Sequence, residues 1–363
     1  MSEYYDVTAV SSERENLQKY GLNENVDTFY LPLTRKITPW TDIRCVIKLY
    51  RFLKKEKPLI VHSHTPKAGI IAMMAAWLAK VPLRFHTVAG LPLMEASGIK
   101  RRILNMVEKW TYKFATKVYP NSLGLKEIIL KQRFCEPSKL EVLGEGSSNG
   151  IDSSYFSRAH FSEMEIAQKK SAIGIPDSDM VLVFVGRIVK DKGINELVSA
   201  FKKLQKDTAD CSLLLVGPFE DDLDPVSDET RTSINTNTKI FAVGYQIDVR
   251  IYLAMSDILV FPSYREGFPN VVMQAGAMDV PAIVSNINGC NEIIDHGTNG
   301  LIISVKSTNE LYSAMKKLIS DRSLYKKLLR NARQQIVSRY ERQKMWKLIL
   351  TEYREQESKF KLN

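Results

Sequence analysis

The feature that most constrains this chain is a rhythm. Short apolar runs (VLVFVG, SLLLVG, KIFAVG, DILVFPS, PAIVS and GLIISV in the second half alone) alternate with longer stretches of helical spacing, and each run closes on a turn signal. Repeated strand-helix units of this kind build a mostly parallel sheet covered by helices, so the predicted class is α/β and doubly wound. In the first half the same reading predicts strands over 6–10, 28–33, 59–64, 83–87, 117–121 and 140–143. Pro39 to Lys55 and Lys100 to Phe114 carry apolar residues at helical spacing with cations on the other face. Small residues cluster in GEGSSNGID, Gly144 to Asp152, which reads as a linker. We therefore expect one domain over 1–148, a second over 149–338, and a C-terminal helix over 339–363 that returns to the first. Two such domains hold their ligand in a cleft at the carboxyl ends of their strands, so the loops after strands are where chemistry is sought.

Composition narrows the class further. At 44% hydrophobic and 25% charged, the 363 residues exclude disordered and collagenous chains. The formal charge of +10 is uneven: residues 1–150 carry +9, residues 151–310 carry −8 and residues 311–363 carry +9. That asymmetry points to an anionic partner for the basic portions, or to basic faces that are simply solvated. Cys45, Cys135, Cys211 and Cys290 lie far apart with no C-x-x-C pair, which predicts buried thiols in a reducing compartment and no metal site. The opening MSEYYDVTAV lacks the apolar run of a signal peptide. GIIAMMAAWLA, Gly69 to Ala79, is too short to span a bilayer and reads as a buried helix.

Two strings carry the chemistry. VLVFVG ends in Gly186 and runs into Arg187, Lys192 and Gly193 before a helix; a planar fork and a point charge beside permissive backbone suit a diphosphate. Alone, this string equally fits a solvated cationic loop. The second, FPSYREGFPNVVMQAGAM, puts Glu266 in the loop after an apolar strand, with Gly267, Phe268, Pro269 and Asn270 leading into a helix whose free N–H groups face an anion. A helix-start carboxylate would explain the charge of Glu266 but not the glycine and proline that shape its loop.

Taken together, GRIVKDKG, REGFPNVVMQAGAM, SNGID, PAIVSNINGCNEII and FHTVAGLPLME resemble the retaining glycosyltransferases of family 4, from Tyr4 to about Tyr353. The similarity is greatest to bacterial enzymes of capsule, O-antigen and other surface-polysaccharide synthesis. It implies the GT-B fold of two facing Rossmann-like domains, with no cofactor and no metal. It also implies a front-face transfer from a nucleotide diphosphate-sugar, of UDP-HexNAc or UDP-hexose type, to a polyprenyl diphosphate-linked saccharide. Position by position, Arg187 and Lys192 match the diphosphate clamp, Glu266 the first glutamate of the family's Glu-x7-Glu motif, and Gly186 and Gly267–Asn270 the donor-binding loops. His86, expected at a strand end, matches a histidine near the reaction centre, with His62, His64 and Lys67 on the acceptor side. His160 and His296 read as surface residues. A cytoplasmic chain lying peripherally on the inner face of the membrane is the expected location, and the cations of the first half suit anionic lipid.

Two departures qualify the match. Gln274 stands where the motif has its second glutamate, exchanging a carboxylate for an amide with one acceptor oxygen. The chain also opens at what resembles the family's second strand, so one βα unit is expected to be missing. A nucleotide-sugar 2-epimerase, a catalytically impaired nucleotide-sugar-binding protein and, from charge alone, a nucleic-acid binder are the competing readings. The last is disfavoured because no regular basic-aromatic stripe is present.

Overall fold

The computed structural model describes every residue except 35–37, 92, 94, 95, 223 and 363. Part of the FHTVAGLPLME string, Pro92, Met94 and Glu95, therefore lies outside the described residues. The chain divides into two compact units, Met1–Ser148 with Trp346–Asn363, and Asn149–Met345.

The first unit contains β1 (Thr8–Ser11), α1 (Arg14–Glu24), β2 (Asp27–Tyr30), α2 (Pro39–Glu56), β3 (Ile60–Ser63), α3 (Pro66–Leu78), β4 (Leu83–Val88), α4 (Gly98–Phe114), β5 (Lys117–Pro120) and α5 (Leu123–Lys131). Its strands pair in parallel but form two sheets, β1-β2 and β3-β4-β5. Helix α3 is the alanine- and methionine-rich stretch expected to be buried, and it packs between α2 and α4. The strand expected over 140–143 does not form. Leu140 makes a single parallel bridge to Val118, and Glu141 pairs with Lys117 at 3.0 Å, after which Gly144 turns the chain at φ 58°.

The second unit contains α6 (Glu163–Ile173), β6 (Met180–Val185), α7 (Ile194–Leu204), β7 (Cys211–Val216), α8 (Asp228–Thr236), β8 (Ile240–Ala242), α9 (Arg250–Ala254), β9 (Ile258–Phe261), α10 (Asn270–Ala277), β10 (Ala282–Ser285), α11 (Cys290–Ile293), β11 (Gly300–Ile303), α12 (Thr308–Ser320) and α13 (Arg322–Tyr340). Six parallel strands make one sheet in the order β11-β10-β9-β6-β7-β8. Counted from β6, that is the 3-2-1-4-5-6 order of a doubly wound sheet, whose strand order reverses between β6 and β9. Both of these strands are nearly continuous apolar runs because helices cover both of their faces. The last helix, α14 (Arg342–Leu362), begins where the second unit ends and belongs mostly to the first. Met345, buried at 3% exposure, marks the division rather than residue 338.

Candidate functional site

In the second unit the reversal of strand order decides which loops can converge. Adjacent loops after β6 and β9 lead in opposite directions to their helices, leaving a crevice at the carboxyl ends of the strands. Arg187–Gly193 follows β6 and Pro262–Pro269 follows β9. Two close approaches fix the loops. Gly193, at φ 72°, lies so near Pro262 that an added Cβ would sit 2.2 Å from its carbonyl oxygen. Gly289, at φ 77°, approaches the second loop from β10, where a Cβ would sit 2.3 Å from the Gly267 oxygen. Only glycine meets both the conformation and the space.

The charged side chains then fall into place. Lys192 ends a 3-10 turn, Lys190–Lys192, and donates to Glu266 Oε1, which also accepts from Ser263 Oγ at 2.9 Å. Arg187 Nη1 donates to Glu220 Oε2 at 2.6 Å. Burial pulls its guanidinium down in pKa, but that hydrogen bond and the carboxylates of Glu220, Asp191 and Glu266 outweigh burial and raise it. Asp191 receives Arg265 at 3.1 Å, while the Asp191 amide donates to Asp224 Oδ2 at 2.6 Å. Behind Glu266 lies Cys290, fully buried, whose thiol is pushed well up by burial and then by the Glu266 carboxylate; it stays protonated. Asn288 Nδ2 donates to the Gly267 carbonyl at 3.3 Å and holds the loop from the far side.

Helix α10 starts at Asn270, as its sequence predicts, with Pro269 at the N-cap in extended conformation. Asn270 and Gln274, one turn apart on one face, line a cavity of about 500 Å³ together with Asp152, Tyr155 and Arg342. Gly186, Arg187 and Lys192 thus follow β6, Glu266, Gly267, Phe268 and Pro269 follow β9, the Lys192–Glu266 contact joins the two loops, and Asn270 and Gln274 on the helix after the second loop line the cavity. Phe268 points inward, buried against Tyr340 with ring centroids 5.3 Å apart, so it shapes the loop from below while its backbone stays in the turn.

The four remaining candidates belong to the first unit. His62 and His64 stack at 4.3 Å, and His62 bonds through Nε2 to Thr87 Oγ1 at 2.8 Å and through Nδ1 to the Tyr353 hydroxyl of α14. Desolvation, then His64 and His86, hold the His62 pKa well below its ordinary value, so the ring is neutral. His86 is not at the strand end: β4 continues to Val88, and His86 is 1% exposed within it. Its Nδ1 bonds to Ser63 Oγ at 2.8 Å, and Gly69 of α3 roofs the ring. Burial, with His64 adding to it, lowers its pKa to about 3. Lys67, in the first turn of α3, turns to Asp42 at 2.8 Å and to Thr34 at 2.7 Å. His160 and His296 are exposed and bond to backbone, His160 to the Ser154 carbonyl and His296 from the Ile302 amide. Among the described residues no three His, Cys, Asp or Glu side chains group so as to hold a metal ion.

Residues 165–335 match the family model of glycosyl transferases group 1, and residues 2–146 match the glycosyl transferase 4-like domain. The capsular polysaccharide biosynthesis glycosyltransferase CapM of Staphylococcus aureus is 31% identical over 96% of this chain and 89% of its own. This chain belongs to the family 4 glycosyltransferases. The glycosyltransferase is also 30% identical to an Escherichia coli enzyme, UDP-Gal:alpha-D-GlcNAc-diphosphoundecaprenol alpha-1,3-galactosyltransferase, over 93% of this chain and 86% of that one. Its fold is GT-B: Anabaena Alr3699/HepE in complex with UDP superposes with a TM-score of 0.81 at 16% identity, covering 98% of this chain and 94% of that one. The Staphylococcus aureus relative is named for capsular polysaccharide biosynthesis and the Escherichia coli relative for a UDP-Gal donor.

Several neighbours of the site carried no signal in the sequence. Ser263 and Asn288 stand in strings read for other residues, and Glu220 sits in an acidic run, EDDLDP, that reads as a plain surface loop. Tyr353 is 291 positions from His62, and no local pattern marks it.

Proposed function

We propose that this glycosyltransferase moves a hexose or N-acetylhexosamine from a UDP-sugar to a polyprenyl diphosphate-linked saccharide, with retention at the anomeric carbon. The observation that carries the donor side is the pair of cation-carboxylate contacts at the loop after β6: Lys192 with Glu266 joins the two loops where the strand order reverses, and Arg187 pairs with Glu220 on the loop after β7. Arg187 has further N–H donors beyond the one given to Glu220, and a diphosphate takes them in bidentate fashion. Lys192 carries charge to the phosphate nearer the sugar. Both offset the negative charge that grows as the nucleoside diphosphate leaves, and the α10 N-terminal amides add to that field. Glu266, already oriented by Ser263 and Lys192, accepts from the hydroxyls of the donor sugar. Gln274 makes the neutral hydrogen bond to the ribose that a carboxylate makes elsewhere. The departing phosphate oxygen takes the acceptor proton, so no enzyme nucleophile is required.

On the acceptor side, His62, His64 and Lys67 contact the saccharide, and His86, buried beneath α3, positions that surface rather than moving a proton. The similarity to the Escherichia coli enzyme, whose name gives an undecaprenol-linked acceptor, supports this acceptor class. Such an acceptor places the protein peripherally on the inner face of the cytoplasmic membrane, and no helix among the described residues is long and apolar enough to cross it.

The test presents the purified protein with UDP-galactose, UDP-N-acetylhexosamines, UDP-glucose and GDP-mannose, with and without a short-chain polyprenyl diphosphate-linked GlcNAc. One UDP-sugar should yield an extended lipid-linked product with an α-anomeric signal in proton NMR. Conversion of donor without acceptor would mean an epimerase. Tight UDP binding with no turnover on any donor would mean an impaired binding protein.

A further inference from the structure

Helix α4 has apolar residues on two sides. Inward, Leu104, Tyr112 and Phe114 join the core beside α3. Outward, Ile99 (76% exposed), Ile103 (39%), Met106 (53%) and Trp110 (44%) recur at three- and four-residue spacing and form a stripe along water. The stripe continues onto α3, because the Phe114 ring lies 5.1 Å from Trp77 and 5.5 Å from Trp110, and Trp77 and Leu78 are themselves exposed. Flanking it are Lys100, Arg102, Lys109 and Lys113, all exposed, and Arg102, Lys109 and Lys113 border a shallow groove of about 480 Å³ beside Met106 and Trp110. The only acid in the helix, Glu108, is turned into the core.

From this juxtaposition we infer that the outer face of α4, with Trp77 and Leu78 of α3, is the surface by which the protein docks on an anionic bilayer. Charge decides among occupants. A second copy of the same face would set cation against cation across an interface, which is costly. Nucleic acid would satisfy the cations but leave a stripe of four apolar side chains and two tryptophans unused. A lipid surface satisfies both, with basic side chains at the headgroups, aliphatic ones at the acyl boundary and tryptophans at the level between. The assignment rests on the peripheral association proposed above, and its test separates the two.

The test measures partition of the full chain onto vesicles of phosphatidylcholine with and without phosphatidylglycerol. Wild type should bind the anionic vesicles at least about 10-fold more tightly, and 0.5 M salt should weaken the binding. Arg102→Gln with Lys109→Gln and Lys113→Gln should lower partition on the order of 10²-fold. Ile103→Ser with Met106→Ser, which keeps every charge, should lower it on the order of 10-fold. Helix α2 also exposes Trp40, Ile43 and Ile47, so Ile43→Ser with Ile47→Ser serves as the comparison and should leave partition unchanged. The UDP-induced thermal shift should be the same in all variants, which shows that they fold. Wild-type binding that α4 substitutions leave intact, or that only the α2 pair abolishes, overturns the docking surface and spares the peripheral reading. No binding by wild type overturns both. A halved mass in light scattering for the α4 variants would make the stripe a dimer interface and overturn the proposal.

Discussion

Strand β6 is buried along its length except for a partial exposure of Val185, whereas β1 alternates between exposed and half-buried, with Val10 42% exposed. Both are short strands followed by a helix, and both begin a parallel pairing, yet they meet different surroundings. In the second unit β6 sits at the middle of one six-stranded sheet with a single hydrophobic cluster around it. In the first unit five strands split into two sheets, and the core splits into separate clusters around α2–α3, α3–α4 and α14. The lesson is one of division of labour. A continuous sheet fixes the two loops that carry Arg187, Lys192 and Glu266. The other unit is held in part by buried polar groups: His62 to Tyr353, His86 to Ser63, and Tyr119 to Glu352 at 2.9 Å.

The contrast can be broken first at the charges. Lys192→Ala or Glu266→Ala should lower kcat/KM for transfer by at least about 10²-fold, the scale of one preorganised electrostatic contact. Near-normal turnover in both variants would remove the second unit from the chemistry. Gly289→Ala comes next. A Cβ in that space must displace the Gly267 carbonyl, so calorimetry should show UDP affinity falling by about 10-fold or more, alongside a loss of about 1–3 kcal/mol in stability.

Acidity should separate the units too. Burial raises the Glu108 carboxyl to about 7, only partly opposed by the Tyr112 phenol one turn on. A carboxyl whose pKa is raised on folding contributes least when ionised, so the first unit should weaken as pH rises from about 4.5 through 7. Urea unfolding should show Glu108→Gln stabilising by up to about 3 kcal/mol at pH 8 and by little at pH 4. His86 works from the other side. With its pKa lowered from 6.5 to about 3, its contribution is full above 6.5 and is lost as pH falls through that window. No change in the pH dependence for Glu108→Gln would mean that this carboxyl is not the group that titrates. The smallest effect is expected at Gln274→Glu, which should keep UDP affinity or tighten it a few-fold if the side chain faces the ribose.

How far this was legible in the sequence differs between the units for a physical reason. VLVFVG, SLLLVG and DILVFPS become β6, β7 and β9 because a strand covered on both faces must be apolar throughout, and that run is visible locally. The start of α10 at Asn270 was legible for the same kind of reason, since the proline and glycine before it leave few alternatives. Pairing between strands is not local, so the split between β2 and β3 left no trace in the residues themselves. The segment 140–143 was apolar enough to read as a strand but follows a single bridge into a turn. His86 shows the same limit at the site. A histidine in FHTV reads as a strand-end group, and only the placement of α3 with Gly69 over it makes it a buried one.

Hydrogen-deuterium exchange of the full protein with and without UDP tests the central claim most directly. UDP should slow exchange at Gly186–Gly193 and across Glu266–Gln274 while leaving β1 and β2, which exchange first, as they were. UDP that binds, by calorimetry in the same buffer, and leaves those two segments unprotected would contradict the account.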